Sequence, residues 1–289
     1  MVDVESCAVR RRGRRLCGFG APSSHGGPVS AADGPEEAAA LDDHGVALDV
    51  AHRAGEMLVD LVRSPDLDRR WGGLEYEGDA RAHRFIMSEL RRMRPDDAIL
   101  SEEGADDRSR VRKKRVWIVD PLDGSSDYGY SPHWSVHVAL AVNGEPAVGA
   151  VAVPGWETTW GTDPAPQRVP AGVEASEAPR IVVSRSRSRF DGSRLQAALG
   201  ADIYTVGSAG VKAMAVVRGD VDAYVHGGGL YEWDSCAPVA VARAAGLVCC
   251  RLDGSPLAFN KPDPWSPGLV ISRPDLVDDI CAVMGDRQP

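Results

Sequence analysis

From Ile181 to Met284 the chain alternates short apolar runs with stretches of helical spacing, and no other feature limits its fold so tightly. Ile181-Val182-Val183, Ile203-Tyr204-Thr205, Val221 to Val225, Leu247 to Leu252 and Leu269-Val270-Ile271 read as strands. Arg189 to Leu199, Gly207 to Val217, Trp233 to Ala245 and Asp275 to Met284 read as helices, with Gly200 and Gly246 as stops. Strands and helices in that order build a sheet covered by helices. The first half has another rhythm. Helical spacing runs from Pro35 to Val62 and from Asp79 to Met93, with Asp79 placed as the second helix's cap. Ala98-Ile99-Leu100 is a short strand. Trp134 to Val142 and Ala147 to Val153 are joined by the hairpin signal Asn143-Gly144, and Glu157 to Gly161 reads as one more strand. The predicted organisation is a disordered extension over residues 1–34, an α+β half over 35–162, a Pro- and Ala-rich linker over 163–179 and an α/β half over 180–289.

The formal net charge of −9 argues against a general nucleic-acid surface, although bound cations would still admit a phosphorylated molecule. No apolar run approaches the roughly 20 residues that span a bilayer, so no membrane partner is expected. The six cysteines, Cys7, Cys17, Cys236, Cys249, Cys250 and Cys281, include no C-x-x-C pair. Neither a disulfide framework nor a zinc site is expected, and a reducing cytoplasm suits them. Arg10-Arg11-Arg12 and Arg14-Arg15 have no apolar stretch behind them, which reads against a twin-arginine export signal and for a dispensable tail.

The chemistry-bearing residues stand at strand ends. Val116-Trp117-Ile118-Val119 is a buried strand that runs into Asp120-Pro121-Leu122-Asp123-Gly124-Ser125-Ser126, where Pro121 ends ladder pairing. Carboxylates and hydroxyls packed so densely suit a hard cation such as Mg²⁺; alone, the same residues are equally an Asp-Gly turn. Glu102 follows another strand in Leu100-Ser101-Glu102-Glu103. Asp234 opens a helix in Glu232-Trp233-Asp234-Ser235, where by itself it reads as a cap. Side chains at such positions can converge on one cleft.

Leu100 to Glu103, Trp117 to Ser125 and Trp233 to Gly246, in that order, resemble the motifs of the inositol monophosphatase superfamily, Mg²⁺-dependent and lithium-sensitive phosphatases of sugars and nucleotides. Gly207 to Lys212 and Gly219 to Tyr224 resemble the family segment ahead of the last acid. Within the family, the Leu-Ser-Glu-Glu and Glu-Trp-Asp forms are most similar to the bacterial 3′-phosphoadenosine 5′-phosphate phosphatases. The resemblance implies a layered α/β/α/β/α sandwich with its site between the halves. It implies hydrolysis of a small phosphorylated substrate, here to AMP and phosphate, with no covalent phospho-enzyme. Glu102, Asp120, the Leu122 carbonyl and Ser125 would hold one Mg²⁺, Asp120, Asp123 and Asp234 a second, and a third ion would sit near Glu102. Asp79 and Ser125 would relay the proton of the attacking water. Gly124, Ser125 and Ser126, opening a helix, would cradle the phosphate. Asp123, Asp234, Ser208, Lys212 and His226 are the further substrate contacts so implied, with Lys212 either reaching a second phosphate or standing on a helix surface.

The chain departs from the family pattern in three places. Ser125 stands where Thr is usual, Glu75-Tyr76-Glu77-Gly78-Asp79 replaces Pro-Val-Thr-x-x-Asp, and His226 or its neighbours stand where inositol-specific members carry a Glu. The last departure weighs against inositol. Inositol 1-phosphate, fructose 1,6-bisphosphate and histidinol phosphate are the alternatives within the same chemistry. A non-catalytic regulatory binding protein is the alternative of another class, opposed by the intact acids. His133 and His137 share a strand face with no third ligand in view and read as strand residues. Homodimers are common in the family, and nucleic acid is not an expected partner.

Overall fold

The computed structural model describes residues 41–64, 73–167, 178–185 and 188–285. The predicted extension, the first residues of the first predicted helix, Trp71-Gly72 and most of the predicted linker lie outside them. Helix α1 (Asp43–Arg63) is capped by Asp42, whose Oδ1 accepts from the Gly45 N–H at 2.8 Å. Helix α2 (Gly73–Met93) begins well before Asp79. Asp79 is therefore not the cap that its place before the apolar stripe suggested: the helical period starts earlier, in residues too polar to show it.

The first sheet runs in the order β1 (Ala98–Ser101), β2 (Arg115–Asp123), β3 (Ser135–Val142), β4 (Glu145–Val153), β5 (Thr158–Gly161). β1 and β2 are parallel and the other pairs antiparallel. Asn143 and Gly144 both take positive φ, 51° and 82°, as a tight Asn-Gly hairpin requires. There follow β6 (Arg180–Ser184), α3 (Ser193–Leu199), β7 (Asp202–Val206), α4 (Ala209–Arg218), β8 (Ala223–His226), β9 (Leu230–Tyr231), α5 (Glu232–Ala244), β10 (Val248–Cys250), β11 (Trp265–Ser266), β12 (Leu269–Ser272) and α6 (Val277–Met284). The second sheet has the order β10-β12-β8-β6-β7. The ribbon of β9 with β11 was not anticipated, because elements this short carry no readable alternation.

Alternation along the strands sorts the core into layers. Trp117, Val119, Val136 and Val138 pack with Val50 and Leu58 of α1 and Ile86 of α2. Their neighbours Val116, Ile118 and Ala139 face the other way, onto Met214 of α4 and Val239 of α5. Tyr224, Leu269 and Ile271 meet the same two helices from the second sheet. Ile181, Val225 and Val270, on that sheet's far face, pack with Leu195 of α3 and Ile280 of α6. The order is α1 and α2, first sheet, α4 and α5, second sheet, α3 and α6, a layered α/β/α/β/α sandwich. Burying each large apolar side chain stabilises the fold by about 1.5–3 kcal/mol, so a one-residue slip of a central strand would be prohibitive. Among the described residues, no helix is long and apolar enough to cross a membrane.

Candidate active site

Asp120 and Asp123 are three residues apart, and a regular strand would point them to opposite faces. They share a face because Asp120 pairs with His137 while Asp123 pairs with Ser135, so β2 uses one residue more than β3 between the two rungs. Pro121, with no N–H to lose, sits in that slip. The Leu122 N–H turns back onto Asp120 Oδ1 at 3.1 Å. In the parallel pair β1–β2, Ser101 lies opposite Val119, so the chain leaving β1 carries Glu102 alongside Asp120. The Glu102 N–H donates to the Val119 carbonyl at 3.3 Å, and the Glu102 and Asp120 carboxyls hydrogen-bond each other.

Asp234 arrives from the first turn of α5. Its Oδ2 accepts from the Tyr231 N–H at 2.6 Å, so it caps the helix as its position suggested. It also joins the acids: oxygens of Asp120, Asp123 and Asp234 all lie within 4.8 Å of one another. Asp79 is half-buried on α2 near Glu102 and Glu103, outside that trio. One turn further along α2, His83 Nδ1 meets Ser101 Oγ at 2.9 Å and ties the helix to the end of β1.

The acids divide into two kinds. Asp120 is 1% exposed, and its carboxyl is pushed well above the usual range, first by burial and then by Glu102, Asp123 and Asp234. Burial, then Asp123, pushes Asp234 up to about 7; burial, then Glu103 and Glu102, pushes Asp79 up to about 7. Glu102 lies at the exposed rim, yet its carboxyl is also raised, by the protein packed around it and then by Glu103 and Asp123, against its bond to Asp120. Asp123 is the exception. Burial would raise it, but His137, Lys212 and Ser208 outweigh burial and hold it below the usual range. Its Oδ2 accepts from Gly210 N–H at 2.8 Å, Ser135 Oγ at 3.0 Å and Ser208 Oγ, with His137 Nε2 at 3.4 Å. His137 Nδ1 meets the Trp233 carbonyl at 3.1 Å. Burial would lower this imidazole, and Asp123 reverses the sign.

A buried anion needs a counter-charge. Asp123 finds protein cations, whereas the groups that act most on Asp120 are all acidic. An all-oxygen donor set with unbalanced negative charge fits a hard divalent cation and not a soft one.

Gly124, beside Asp123, has φ +83°, and a methyl group on it would lie 3.0 Å from the His133 carbonyl and from Ser208 Cβ. Ser125 then begins a single 3-10 turn, Ser125–Asp127, closed by the Asp127 N–H on the Gly124 carbonyl at 2.8 Å. The expected helix at the phosphate cradle is thus only one turn long, and no helix dipole stands behind it. Ser125 is half-buried and Ser126 exposed.

Two predicted substrate contacts are buried and bonded within the protein. The Ser208 hydroxyl is fully buried, bonded to Asp123, and accepts from the Val211 N–H at 3.1 Å as the cap of α4. Lys212 is neither on a helix surface nor turned to a phosphate: it is 1% exposed, with Nζ donating to the Gly207 and Ser208 carbonyls at 2.6 Å each and to the Val206 carbonyl at 3.3 Å. An ammonium has three donors, and all three are used. His226 is buried at the end of β8, and its Nδ1 accepts from the Gly228 N–H at 3.3 Å. His137, read from the sequence as a plain strand residue, is instead the partner of Asp123. That Ser135 and His137 share a strand face was legible; which strand they oppose was not.

Known proteins are similar to this chain. Residues 44–280 match the model of the inositol monophosphatase family. A 3′-phosphoadenosine 5′-phosphate phosphatase of Mycobacterium leprae (strain TN) is 41% identical over 260 residues, covering 85% of this chain and 94% of that protein. The 3′(2′),5′-bisphosphate nucleotidase CysQ of Escherichia coli (strain K12) is 30% identical over 209 residues, covering 67% and 83%. The crystal structure of CysQ from Bacteroides thetaiotaomicron superposes with a TM-score of 0.67 at 26% identity, covering 79% of this chain and 96% of that one. With its fold, its converging acids and a family match over most of its length, the chain belongs to the inositol monophosphatase family.

Proposed function

We propose that this chain is a Mg²⁺-dependent phosphomonoesterase that hydrolyses 3′-phosphoadenosine 5′-phosphate to AMP and phosphate. The observation that carries the chemistry is the convergence of Asp120, Asp123 and Asp234 within 4.8 Å, from a strand end and a helix start. The choice of substrate rests on the 41% identity to the mycobacterial phosphatase.

Glu102, Asp120, the Leu122 carbonyl, Asp123, Ser125 and Asp234 would hold two or three Mg²⁺. Such ions would lower the pKa of water and neutralise charge on the phosphate and on the departing oxygen. The residues themselves do the rest. Asp79, pushed up to about 7, is suited to take a proton from water near neutral pH, with Ser125 as the relaying hydroxyl. The turn from Gly124 to Ser126 receives the phosphate. The water oxygen adds to phosphorus as Asp79 takes its proton, the bond to the 3′-oxygen breaks, and that oxygen leaves as the alcohol with a proton supplied by solvent water, to which Asp79 returns its own. His137 and Lys212 keep Asp123 ionised and fixed. The site would lie between the half at 35–162 and the half at 180–289, in a cytoplasmic enzyme.

A panel of 3′-phosphoadenosine 5′-phosphate, inositol 1-phosphate, fructose 1,6-bisphosphate and histidinol phosphate, with Mg²⁺ and with added lithium, tests the reading. The adenosine bisphosphate should have the highest kcat/KM, and lithium should inhibit. If it is the poorest of the four, the substrate is wrong; if none is hydrolysed, the chemistry is wrong.

A further inference from the structure

A 3′,5′-bisphosphate brings a second phosphate that the acid cluster cannot hold, and the Lys212 ammonium is committed to three carbonyls. We propose that Arg185 holds the 5′-phosphate and so selects bisphosphates over monophosphates; this rests on the substrate reading given above.

Arg185 follows β6, and its Nη2 donates to both oxygens of Asp127, at 3.0 and 3.2 Å. Asp127 is buried and ends the turn that begins at Ser125; Ser131 Oγ donates to its Oδ1 at 3.1 Å. The guanidinium is thereby anchored to the element that would cradle the scissile phosphate, from the opposite half of the chain. The two halves touch closely here. A methyl group on Gly207 would collide with Asp127 Oδ2 and lie 3.5 Å from Arg185 Nη2, just as one on Gly124 would press on Ser208. Gly124, Asp127, Arg185, Gly207 and Ser208 are therefore packed together where the two halves touch.

The Arg185 side chain is 54% exposed, so a ligand can reach it while Asp127 sets its direction. A planar guanidinium presents five donors in a fixed fork well matched to phosphate, so it can meet a phosphate while its Nη2 stays on Asp127. The neighbouring cation, Lys212, is sealed in beneath the same loop and acts on Asp123 instead. The division is one buried cation for the protein's own carboxylate and one exposed cation for the ligand.

The test uses the full chain with Mg²⁺, as wild type, Arg185→Gln and Arg185→Lys. kcat/KM is measured for 3′-phosphoadenosine 5′-phosphate and for adenosine 3′-monophosphate. Arg185→Gln should lower the ratio of the two about tenfold or more, mainly through KM of the bisphosphate, and Arg185→Lys should recover part of it. An equal fall for both substrates, or an unmoved ratio, overturns the assignment. Calorimetric binding of AMP and of adenosine tests the contact without turnover: Arg185→Gln should weaken AMP about tenfold relative to adenosine. If wild type binds AMP no better than adenosine, or the variant does not change that preference, Arg185 is not the 5′-phosphate contact. Failure of wild type to hydrolyse the bisphosphate, with the AMP preference intact, refutes the reaction and not the contact.

Discussion

Asp120 and Asp123 leave the same strand three residues apart and are treated oppositely by the fold. Around Asp123 the protein has gathered His137, Lys212, two hydroxyls and the Gly210 N–H, and its carboxyl stays ionised despite burial. Around Asp120 it has gathered Glu102, Asp123 and Asp234, and the carboxyl is pushed toward its neutral form. The first end is finished by the protein alone, and the second is finished only by a proton or by a cation from solution. Asp120 has the Leu122 N–H and the Glu102 carboxyl as partners and no cation, whereas Asp123 is braced from behind by cations and hydroxyls.

The largest expected effect comes from the unbraced end. Asp120→Asn should reduce turnover by at least about a thousandfold, since it removes the negative charge and one of the two oxygens of that carboxylate. The same variant should melt at a higher temperature than wild type when metal is absent, because a buried repulsion is gone. Retained turnover would break the contrast between the two ends, and a lower metal-free melting point would show that Asp120 is braced after all.

The braced end should respond in stability. His137→Leu leaves Asp123 and Ser135 buried without their partner and should cost about 3 kcal/mol in chemical denaturation, with or without Mg²⁺. A loss seen only when Mg²⁺ is present would assign His137 to the metal side of the comparison.

Protons sharpen the difference next. Asp234 and Asp79 are raised from the usual carboxylate value to about 7, so the metal-free folded state binds more protons than the unfolded state between about pH 4 and 7. Their contribution is complete below pH 4 and is lost as pH rises through 7. Melting temperature in chelator should accordingly fall from pH 5 to pH 8, by on the order of 2 kcal/mol of stability after allowance for screening. Mg²⁺ should restore most of that loss at pH 8 and little at pH 5. Asp123, lowered, has the opposite sign and acts only at more acidic pH. A melting curve flat in pH without metal would remove the basis for the unbraced end.

The smallest effect lies at the glycine that follows Asp123. Gly124→Ala must place a methyl at positive φ against the His133 carbonyl and Ser208 Cβ, at a cost of about 1–2 kcal/mol, and it should raise KM for the phosphate ester more than it lowers the melting point. A pure stability loss would mean that the turn does not hold the phosphate.

Much of this was visible along the chain because it is local. The apolar run before Pro121 marks a strand, although pairing is only interrupted at Pro121 and resumes at Asp123; the unbroken apolar run Ile181-Val182-Val183 demands covered faces, and Asn143-Gly144 dictates a tight hairpin. The order of the acidic motifs identified the family and, through it, the layered fold. What stayed hidden depends on pairing. Asp79 read as a cap because its helix starts in polar residues with no apolar stripe. Lys212 read as exposed because helical spacing says which residues share a face and not which face is covered, and α4 lies between two sheets. Arg185 and Asp127 drew no attention at all, being 58 positions apart in sequence and 3.0 Å apart in space.

The sequence by itself determined which carboxylates exist, where each leaves its strand or helix, and the class of chemistry they can support, because these follow from residue type and local backbone preference. Only the tertiary structure decided which acid is braced by cations and which is crowded by other acids. That outcome turns on a one-residue slip between β2 and β3 and on α4 packing its first turn against Asp123. Charge balance in a buried site is a property of what is brought together from distant parts of the chain, and no single stretch of sequence carries it.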